Sequence, residues 1–478
     1  MSKLTAKIVV IGAGASGIAA ATKLLQSGFQ NVIILEAEDR IGGRIYTIPF
    51  GENVVDLGAQ WCHGEKANVI YEMVEHMNLL DTNGTIYDDY KSIRSNKEVL
   101  SDSVNDALKS IVFGTQESRF EELIGYEGSF GTYLTEKFYK ELQRPEFDSI
   151  DRVVAKEFFE NYKKNECSTE ASDSLFEVSS PGHLEYWGCD GDLLLNWKDK
   201  GFVKFLQILM KSSESSELGI LDGRVKLNRR VERIIWDPSG KAKILIKNWN
   251  GELIKADHVI CTTSLGVLKE NHSKMFSPQL PEPKLCAIEG LNLGTVDKFF
   301  LEFDQPFGPE DWSSFCLLWT EKDLEELRNS HRFWLENVFG FFKVPYQPII
   351  IAGWIIGSNA RHMETQPEDE VLEGIMWLLQ KFLSFNVPMP KNFLRTQWYS
   401  NPNFRGSYTF RSMLTEELKT GANDLTEPLA APNGMPILQF AGEATSPHYY
   451  STVHGAVESG WREAQRLINY YSTKLSQL

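Results

Sequence analysis

The sequence predicts an α/β fold whose two domains are interleaved along the chain. Apolar, strand-like runs followed by turns or helical patterns occur at the beginning of the chain, in its middle and at its end. Two other segments lie between them, one mostly helical and one with strands rich in Phe, Trp and Ile. With 478 residues, the chain is also too long for one ordinary hydrophobic core. We therefore expect two domains, each built from segments that are separated in sequence.

The first element is a strand–turn–helix–strand unit with a glycine motif. An apolar run leads into Gly12, Gly14 and Gly17, spaced G-x-G-x-x-G, and a second apolar run ends at Glu36. In a dinucleotide-binding unit, the first glycine permits the tight turn, the second lets the backbone approach a pyrophosphate and the third lets the helix pack on the strand. The helix N-terminus supplies N–H donors for the phosphates. The unit predicts a Rossmann-like site in which Glu36 binds ribose hydroxyls.

Further glycine turns, strand-type runs and a helical pattern of the nucleotide-binding type occur later in the chain. Residues 40–44 add a second glycine pair and an arginine, Arg44, suited to phosphate. Strand-type runs recur over 225–262, another strand meets a turn at 439–443, and a helix is expected over about 455–475. The remaining segments are expected to form an α+β domain with a mixed sheet flanked by helices. The expected boundaries are 1–85, 205–275 and 425–478 for the nucleotide-binding domain, and 86–204 and 276–424 for the substrate-binding domain.

Composition and charge exclude several classes of protein. Apolar content of 42% and charged content of 24% are typical of a globular protein. The first strand begins too early for a secretory signal and no apolar stretch is long enough to cross a bilayer, so we expect an intracellular, unanchored protein. The six cysteines lack metal-site spacing, which favours free thiols and no metal. A net charge of −16 disfavours nucleic acid as a partner; it suits a cationic substrate, although solubility alone also explains it.

Seven sequence blocks then carry a resemblance to a known family. The chain resembles the FAD-dependent amine oxidases, and within them the animal polyamine and spermine oxidases. The resemblance covers nearly the whole chain, in the order of blocks that the family has. The blocks are GAGASG (12–17), EAEDRIGGR (36–44), GAQWCHG (58–64), VICTTSLGVLK (259–269), VDKFFLEF (296–303), WYSNPNFRGSY (398–408) and AGEATSPHYYSTVHGAVESG (441–460).

The resemblance implies an FAD site. Glu36 would hold the adenosine ribose, Arg44 and the first glycine loop the pyrophosphate, and Glu443 the ribityl or phosphate region. The FRGSY run at 404–408 lacks the cysteine that bonds to the flavin in monoamine oxidases, so the implied FAD is noncovalent. The implied FAD-binding residues are Gly12, Gly14, Gly17, Glu36, Arg44, Gly58, Ala59, Gln60, Trp61, Val231, Trp398, Glu443, Thr452 and Val453, with 58–61 and Trp398 beside the ring, the Val231 backbone at the adenine and 452–453 at the O2 edge of the flavin.

The same resemblance implies catalytic and substrate-binding residues. Lys298 matches a lysine that holds a water near flavin N5, although the residue pattern alone suits a solvated strand lysine. His63, in a loop after a glycine turn, is either a hydrogen-bond partner of the substrate amine or a structural histidine. Either surface acids or ligands of the distal amine are expected at 185–192, and Trp187 is either packing or channel lining. The substrate-binding candidates are His63, Glu185, Trp187, Asp190, Tyr408 and Thr452, with Asp192 as a further acid.

The implied function is oxidation of a polyamine, with O2 as the second substrate. Spermine, N1-acetylspermine or spermidine would be oxidised at a secondary amine by hydride transfer to FAD, giving an imine that hydrolyses to an aldehyde and a shorter amine, while O2 becomes H2O2. Oxidation of another amine and a catalytically silent FAD-binding scaffold stay open as alternatives, as does the oligomeric state. We expect a cytoplasmic location, since Ser476-Gln477-Leu478 is only a weak match to the peroxisomal S-K-L signal.

Overall fold

The computed structural model describes residues 2–82 and 89–475. Its strands are β1 Lys7–Ile11, β2 Asn31–Leu35, β3 Thr47–Phe50, β4 Asn53–Asp56, β5 Trp61–Cys62, β6 Asp81–Thr82, β7 Tyr90–Arg94, β8 Leu195–Asn196, β9 Val225–Lys226, β10 Val231–Ile235, β11 Ile244–Asn248, β12 Leu253–Ala256, β13 His258–Cys261, β14 Phe276–Ser277, β15 Asn292–Leu293, β16 Val296–Glu302, β17 Ser314–Leu318, β18 Val338–Val344, β19 Gln347–Ile356, β20 Asn392–Arg395, β21 Thr409–Phe410, β22 Leu429–Ala430 and β23 Pro436–Phe440.

The helices are α1 Ala15–Gln26, α2 Val69–Val74, α3 Asp102–Glu122, α4 Phe130–Glu141, α5 Arg152–Glu170, α6 Ser180–His183, α7 Val203–Met210, α8 Leu265–Met275, α9 Glu282–Gly290, α10 Glu321–Arg328, α11 Gly357–Glu364, α12 Glu368–Phe382, α13 Met413–Leu418, α14 Ala422–Thr426 and α15 Val453–Leu475. Short 3₁₀ turns cover Glu75–Met77, Pro145–Phe147, Leu175–Glu177, Gly219–Leu221, Phe333–Asn337 and Glu443–Thr445.

A mainly parallel sheet gathers strands from the first, middle and last parts of the chain. Its order is β22-β23-β13-β1-β2-β9, and only the short edge strand β22 runs antiparallel. Parallel strands buried on both faces read as apolar runs, as β1 and β13 do. Helix α1 packs against α15, where Gly460 lets the two backbones approach, since a Cβ there would lie 2.1 Å from the Ser16 carbonyl oxygen.

The second large sheet is mixed and is flanked by helices. Its order is β20-β16-β19-β18-β17-β7, antiparallel except for the parallel pair β17–β7. Every residue of β16 is buried, including Asp297, Lys298 and Glu302. Phe299 and Leu301 pack into a core shared with α12, while α3, α4 and α5 build a further aromatic core.

These sheets and helices confirm the predicted α/β fold, with a nucleotide-binding type of sheet beside a mixed sheet. One part of the expectation was incomplete, because the mostly helical segment after residue 86 also supplies β7, which is paired in the mixed sheet. The exact domain boundaries stay a prediction. Among the described residues, no helix combines the length and the apolar character needed to cross a bilayer. None of the six cysteines forms a disulfide, and residues 476–478 lie outside the described part of the chain.

Candidate active site

A cavity of about 950 Å³ joins the carboxyl ends of β1 and β2 to the face of the mixed sheet. At one end it is lined by Gly12, Gly14 and Glu36, and farther along by Lys298 and Tyr408. Ligands of open α/β sheets bind at the carboxyl ends of the strands, and pockets of this volume hold cofactors and small molecules. One continuous cavity therefore reaches most of the residues that the sequence singles out.

The glycine loop presents bare backbone to this cavity. Gly12 has φ +102°, and a Cβ there would lie 2.5 Å from Thr262 Oγ1. Gly14 is the N-cap of α1, and no side chain caps the helix, so N–H groups of its first turn are available to a ligand. Gly43 lies so close to Gly14 that a Cβ at Gly43 would be 3.2 Å from the Gly14 Cα. Gly17 does not line the cavity. It lets α1 pack closely on the turn, because a Cβ at Gly17 would lie 2.0 Å from the Gly12 carbonyl oxygen.

Glu36 follows β2 and braces the glycine loop. Its Oε2 accepts a hydrogen bond from the Ala13 N–H at 2.6 Å, and Oε1 accepts one from the Glu38 N–H at 2.8 Å. Burial raises the pKa of Glu36, while these N–H donors act in the opposite direction. A carboxylate oxygen has two lone pairs, so the side chain also keeps acceptor sites for hydroxyl groups.

Arg44 and Glu443 bring two distant parts of the chain together at the cavity. Arg44 Nη1 donates to Glu443 Oε1 at 2.8 Å and to the Ser407 carbonyl oxygen at 2.7 Å. Glu443 Oε2 accepts from Thr409 Oγ1 at 2.6 Å and from the Ser451 N–H at 2.9 Å. Both acceptor sites of Glu443 Oε2 are thus used by protein donors, whereas within the described chain Oε1 accepts only from Arg44, and Arg44 itself keeps further N–H donors.

Lys298 is a buried lysine on β16. Its Nζ donates to the carbonyl oxygens of Asp56 and Gly58, at 3.0 and 2.8 Å, and to Gln60 Oε1 at 2.9 Å. Burial lowers the pKa of Lys298, and the carboxylate charge of Asp56 opposes that shift. The lysine therefore fastens the 58–60 turn, which lines the cavity.

Aromatic rings surround the same lysine. The ring centroids of Trp61 and Trp354 lie 6.0 and 5.2 Å from its Nζ and 5.4 Å from each other. Trp398 packs against Gly58, since a Cβ at Gly58 would lie 3.2 Å from Trp398 Cζ2. The Trp398 Nε1 donates to the Leu57 carbonyl oxygen at 3.3 Å. These rings make the middle of the cavity an aromatic chamber.

His63 lies half-buried at the wall of this chamber. Its Nδ1 is 2.7 Å from the Leu193 carbonyl oxygen. Burial lowers the pKa of His63, so the ring is neutral near pH 7. A neutral ring facing a carbonyl oxygen must donate from Nδ1, which leaves Nε2 as an acceptor.

The remaining candidates divide into those that line the cavity and those that do not. Ala59, Val231, Asp190, Thr452 and Val453 line it, the last two at the start of α15. Glu185 does not: it is exposed and pairs with Arg411 Nε at 2.7 Å. Trp187 is 53% exposed and stacks on His448, with 3.5 Å between the ring centroids. Asp192 instead accepts the Leu194 N–H at 2.7 Å.

The family of the chain follows from a comparison with known protein families. The family model described as flavin containing amine oxidoreductase matches residues 15–468. The chain belongs to this family. The predicted family and the predicted class of enzyme, an FAD-dependent amine oxidase, are thereby confirmed.

Relatives and solved structures agree with that assignment. The human peroxisomal N(1)-acetyl-spermine/spermidine oxidase is 29% identical, over 98% of this chain and 96% of the relative. Protein anon-37Cs of Drosophila simulans is 30% identical, over 97% and 91%, and polyamine oxidase 1 of Zea mays is 27% identical, over 98% and 91%. A putrescine oxidase structure with bound putrescine matches with a TM-score of 0.68 and 17% identity, over 97% of this chain and 99% of its own, which shows the shared fold.

FAD is the cofactor of this amine oxidoreductase, and the cavity fits it. The loop around Gly12, Gly14 and Gly43 has room for phosphates only because no Cβ fills it, and the uncapped start of α1 faces that room. Arg44 adds a cation, and the chamber beside Lys298 offers flat aromatic walls for a ring system.

The sequence did not predict several residues that line the cavity of the oxidoreductase. Trp354 lies directly opposite Lys298 in the antiparallel β16–β19 register, and this pairing is not readable before the strands are aligned. Glu170 and His183 end two different helices and meet only in the folded chain. The signal that could have found Glu170 is an acid at the very end of a predicted helix, where the helix dipole disfavours it.

Proposed function

We propose that this amine oxidoreductase oxidises a polyamine, spermine or an N1-acetylated polyamine, at one of its secondary amines. The carbon next to the nitrogen gives up a hydride, and the resulting imine adds water and splits into an aldehyde and a shorter amine. One O2 becomes one H2O2, so amine, O2 and water balance aldehyde, amine and peroxide. When bound, FAD supplies the hydride acceptor and passes the electrons to oxygen.

The observation that carries this proposal is the extent of the cavity. It continues past the chamber of Lys298 and His63, along Tyr408, to a wall that contains the buried acid Glu170. A long substrate with several cationic amines suits such a passage, since each remote ammonium needs an acceptor. Polyamines are also named as substrates in the names of the human and maize relatives.

The side chains of the chamber would bind and orient the reacting amine. His63 accepts an N–H from the substrate at Nε2, which favours a neutral amine beside a neutral ring. Lys298 holds the 58–60 turn in position, and its protonated form, with a pKa that burial lowers to about 7, supplies a positive group where negative charge develops. Trp61 and Tyr408 form the walls that exclude water from the hydride-donating carbon.

Anaerobic mixing with polyamines tests this function directly. The flavin absorbance of the purified holoenzyme should bleach on addition of spermine or N1-acetylspermine and return on admission of air, with peroxide formed. Mass spectrometry of the products identifies which bond was cleaved. A flavin that stays oxidised with spermine, spermidine and both N1-acetylated forms contradicts the proposal, and bleaching by monoamines alone would reassign the substrate.

We also propose that the protein has no nucleic-acid partner, which the net charge of −16 supports, because phosphate binding needs a basic face.

The proposed location of the protein is the cytoplasm. Imaging of the full chain with an amino-terminal fluorescent tag, beside a peroxisomal marker, tests the location. A diffuse signal is expected, and overlap with the marker contradicts it.

A further inference from the structure

A small sheet that shares a core with β1 and β13 has one buried face and one face directed to solvent. Its strands pair in the order β12-β11-β10-β14. Alternate residues, such as Ile234, Ile246 and Ile254, are buried in the shared core. Because successive side chains of a strand point to opposite faces, the residues between them lie on the solvent side. We call this surface the cationic face; it consists of Arg233, Ile235, Leu245, Lys247, Leu253 and Lys255.

The cationic face combines like charges with large apolar side chains. In the strand register, Arg233 lies directly opposite Lys247, and Lys247 lies opposite Leu253. Ile235 is 39% exposed and Leu253 is 62% exposed. Like charges directly opposite each other destabilise a sheet, and apolar side chains are stabilised only when they leave water. The fold gives no reason for this arrangement, so it indicates a partner outside the chain.

Positive charge is concentrated around this face in an otherwise acidic protein. Residues 224–257 contain nine Lys and Arg residues and four Asp and Glu residues, whereas the whole chain has 49 and 65. Glu232 pairs with Lys247 at 3.2 Å. Within the described chain, Arg233 and Lys255 have no ion pair. The face is therefore complementary to an anionic surface.

An exposed aromatic ring extends the apolar part of this region at the turn between β11 and β12. Trp249 is 60% exposed, and its backbone N–H donates to the Arg230 carbonyl oxygen at 3.0 Å. Its Nε1 donates to the Asn228 carbonyl oxygen at 3.3 Å, which holds the ring in an outward position. In sequence, Trp249 lies between Lys247 and Leu253. Trp, Leu and Lys side chains grouped in this way are typical of a membrane interface.

The shape of this region favours a flat partner over a polypeptide. No residue of the cationic face lines the large cavity, and the six side chains share one pleated surface. Peptide and protein partners are usually anchored in a groove or pocket. A bilayer offers anionic headgroups to the cations and an apolar layer to Trp249 and Leu253. The cytoplasmic leaflet is an anionic one, in keeping with the proposed location.

We propose that the cationic face and Trp249 bind the surface of an anionic lipid bilayer. The lysines and the arginine would lie at the phosphates, with Trp249 and Leu253 in the headgroup layer. The net charge of −16 opposes a closer approach of the rest of the molecule, so the binding is weak, reversible and dependent on salt. It leaves most of the protein free in the cytoplasm. This inference goes beyond the proposed oxidation of polyamines and does not depend on it.

Co-sedimentation of the purified holoenzyme with lipid vesicles tests this inference. Phosphatidylcholine vesicles with about 40% phosphatidylserine should bind the enzyme at about 0.05 M salt and release it at about 0.5 M, because salt screens the charges. Vesicles of phosphatidylcholine alone should bind it at least about tenfold more weakly. The triple variant Arg233→Gln, Lys247→Gln, Lys255→Gln should lose about a hundredfold in lipid affinity, at about fivefold per cation. Leu253→Ser should lose about tenfold.

Exposed side chains outside this sheet supply matched controls. Lys156→Gln, Lys200→Gln and Lys322→Gln together remove three cations from other surfaces. Met389→Ser removes an apolar side chain that is 65% exposed. Both control proteins should bind the vesicles within about twofold of the wild type, because a distant surface charge is screened by salt. Bound FAD and the thermal midpoint are measured for every variant, so that a folding defect is recognised.

Two results would overturn the lipid surface directly: no binding to phosphatidylserine vesicles at low salt, or binding that the triple variant leaves unchanged. Retention of the wild type on immobilised polyglutamate but not on vesicles would assign the cationic face to an acidic polypeptide, and so would also overturn it. Failure of the wild type to oxidise any polyamine overturns the proposed function instead and leaves the vesicle result as it stands.

Discussion

Two buried lysines in this molecule are held in the same way but in different surroundings. Lys298 Nζ has three oxygen acceptors and lines the cavity. Lys284 Nζ also donates to three carbonyl oxygens, those of Asp424, Leu425 and Glu427, and does not line the cavity. Burial lowers the pKa of both. Lys284 therefore shows what burial of a lysine contributes to stability alone, against which the proposed catalytic role of Lys298 can be measured.

Lys298→Met should slow turnover strongly while FAD stays bound. The substitution keeps an unbranched apolar chain but removes the donors to Gly58 and Gln60 and the amino group that we propose to lie beside the reacting centre. Loss of one such electrostatic group typically lowers kcat by about 10²–10³-fold. Stopped-flow reduction of the flavin and its reoxidation by O2 measure the two half-reactions separately.

Lys284→Met serves as the control for that experiment. It should lower the thermal midpoint, because three carbonyl oxygens lose their donor, while kcat per bound flavin stays at the wild-type value. Unchanged turnover in Lys298→Met would remove this lysine from the catalytic site. Equal losses of kcat in both variants would mean that the effect is structural.

At the scale of single elements, α15 and β16 each depend on one close contact with another part of the chain. Helix α15 reaches α1 through Gly460, and β16 buries Asp297 beside the carboxyl group of Glu364. Asp297 Oδ1 accepts from Thr396 and from the Trp398 N–H, whereas Oδ2 has no hydrogen-bond partner within the described chain.

Gly460→Ala should destabilise the protein. The added methyl group would meet the Ser16 carbonyl oxygen at 2.1 Å, which is backbone and cannot move aside, so α1 and α15 must separate. The free energy of unfolding should fall by about 1–3 kcal/mol, as for other overpacked contacts. Gly114→Ala, in the interior of α3 with open space around it, should instead stabilise by about 0.5–1 kcal/mol. Thermal melts of both holoenzymes measure this, and equal midpoints would contradict the proposed close contact.

Asp297→Asn should change how stability depends on pH. Burial and then the charge of Glu364 raise the pKa of Asp297 well above its ordinary value. The native state therefore binds more protons than the unfolded state in that range, and stability falls as the pH rises from about 4, the unfolded value, through the native pKa. The asparagine cannot titrate, so its thermal midpoint relative to the wild type should rise steadily as the pH increases from about 4 towards the raised native pKa of Asp297.

Asp304→Asn provides the control for this pH series. Asp304 follows the same strand and is exposed. The difference in midpoint between Asp304→Asn and the wild type should be flat with pH. A flat difference for Asp297→Asn as well would show that Asp297 is ionised in the folded protein throughout the series.

At the scale of the whole molecule, the sequence predicted what depends on local pattern. The glycine loop, the acid after β2 and the family blocks are contiguous motifs, so the α/β fold and the FAD cofactor followed from them. Contacts between distant segments were not predictable: Trp354 opposite Lys298 needs the strand register, and Glu170 beside His183 needs the packing of two helix ends. Glu185 and Trp187 are close in sequence to residues that line the cavity, but neither lines it. Glu185 pairs with Arg411 and Trp187 stacks on His448 instead.

The same long-range contacts predict that FAD stabilises the whole fold. The cavity is lined by segments from the first, middle and last parts of the chain, and Arg44 and Glu443 meet there across 399 positions. A tightly bound ligand adds about 4 kcal/mol at a thousandfold excess over Kd. The entropy of unfolding is about 1 kcal/mol/K for a chain of 478 residues, so removal of FAD should lower the thermal midpoint by on the order of 4 °C. Re-addition of FAD should restore it, whereas FMN, which lacks the adenosine half, should not. Hydrogen exchange should slow on FAD binding both in the loop after β1 and around Glu443, because one ligand spans both; protection confined to the glycine loop would mean that the two ends of the chain are joined by protein contacts alone.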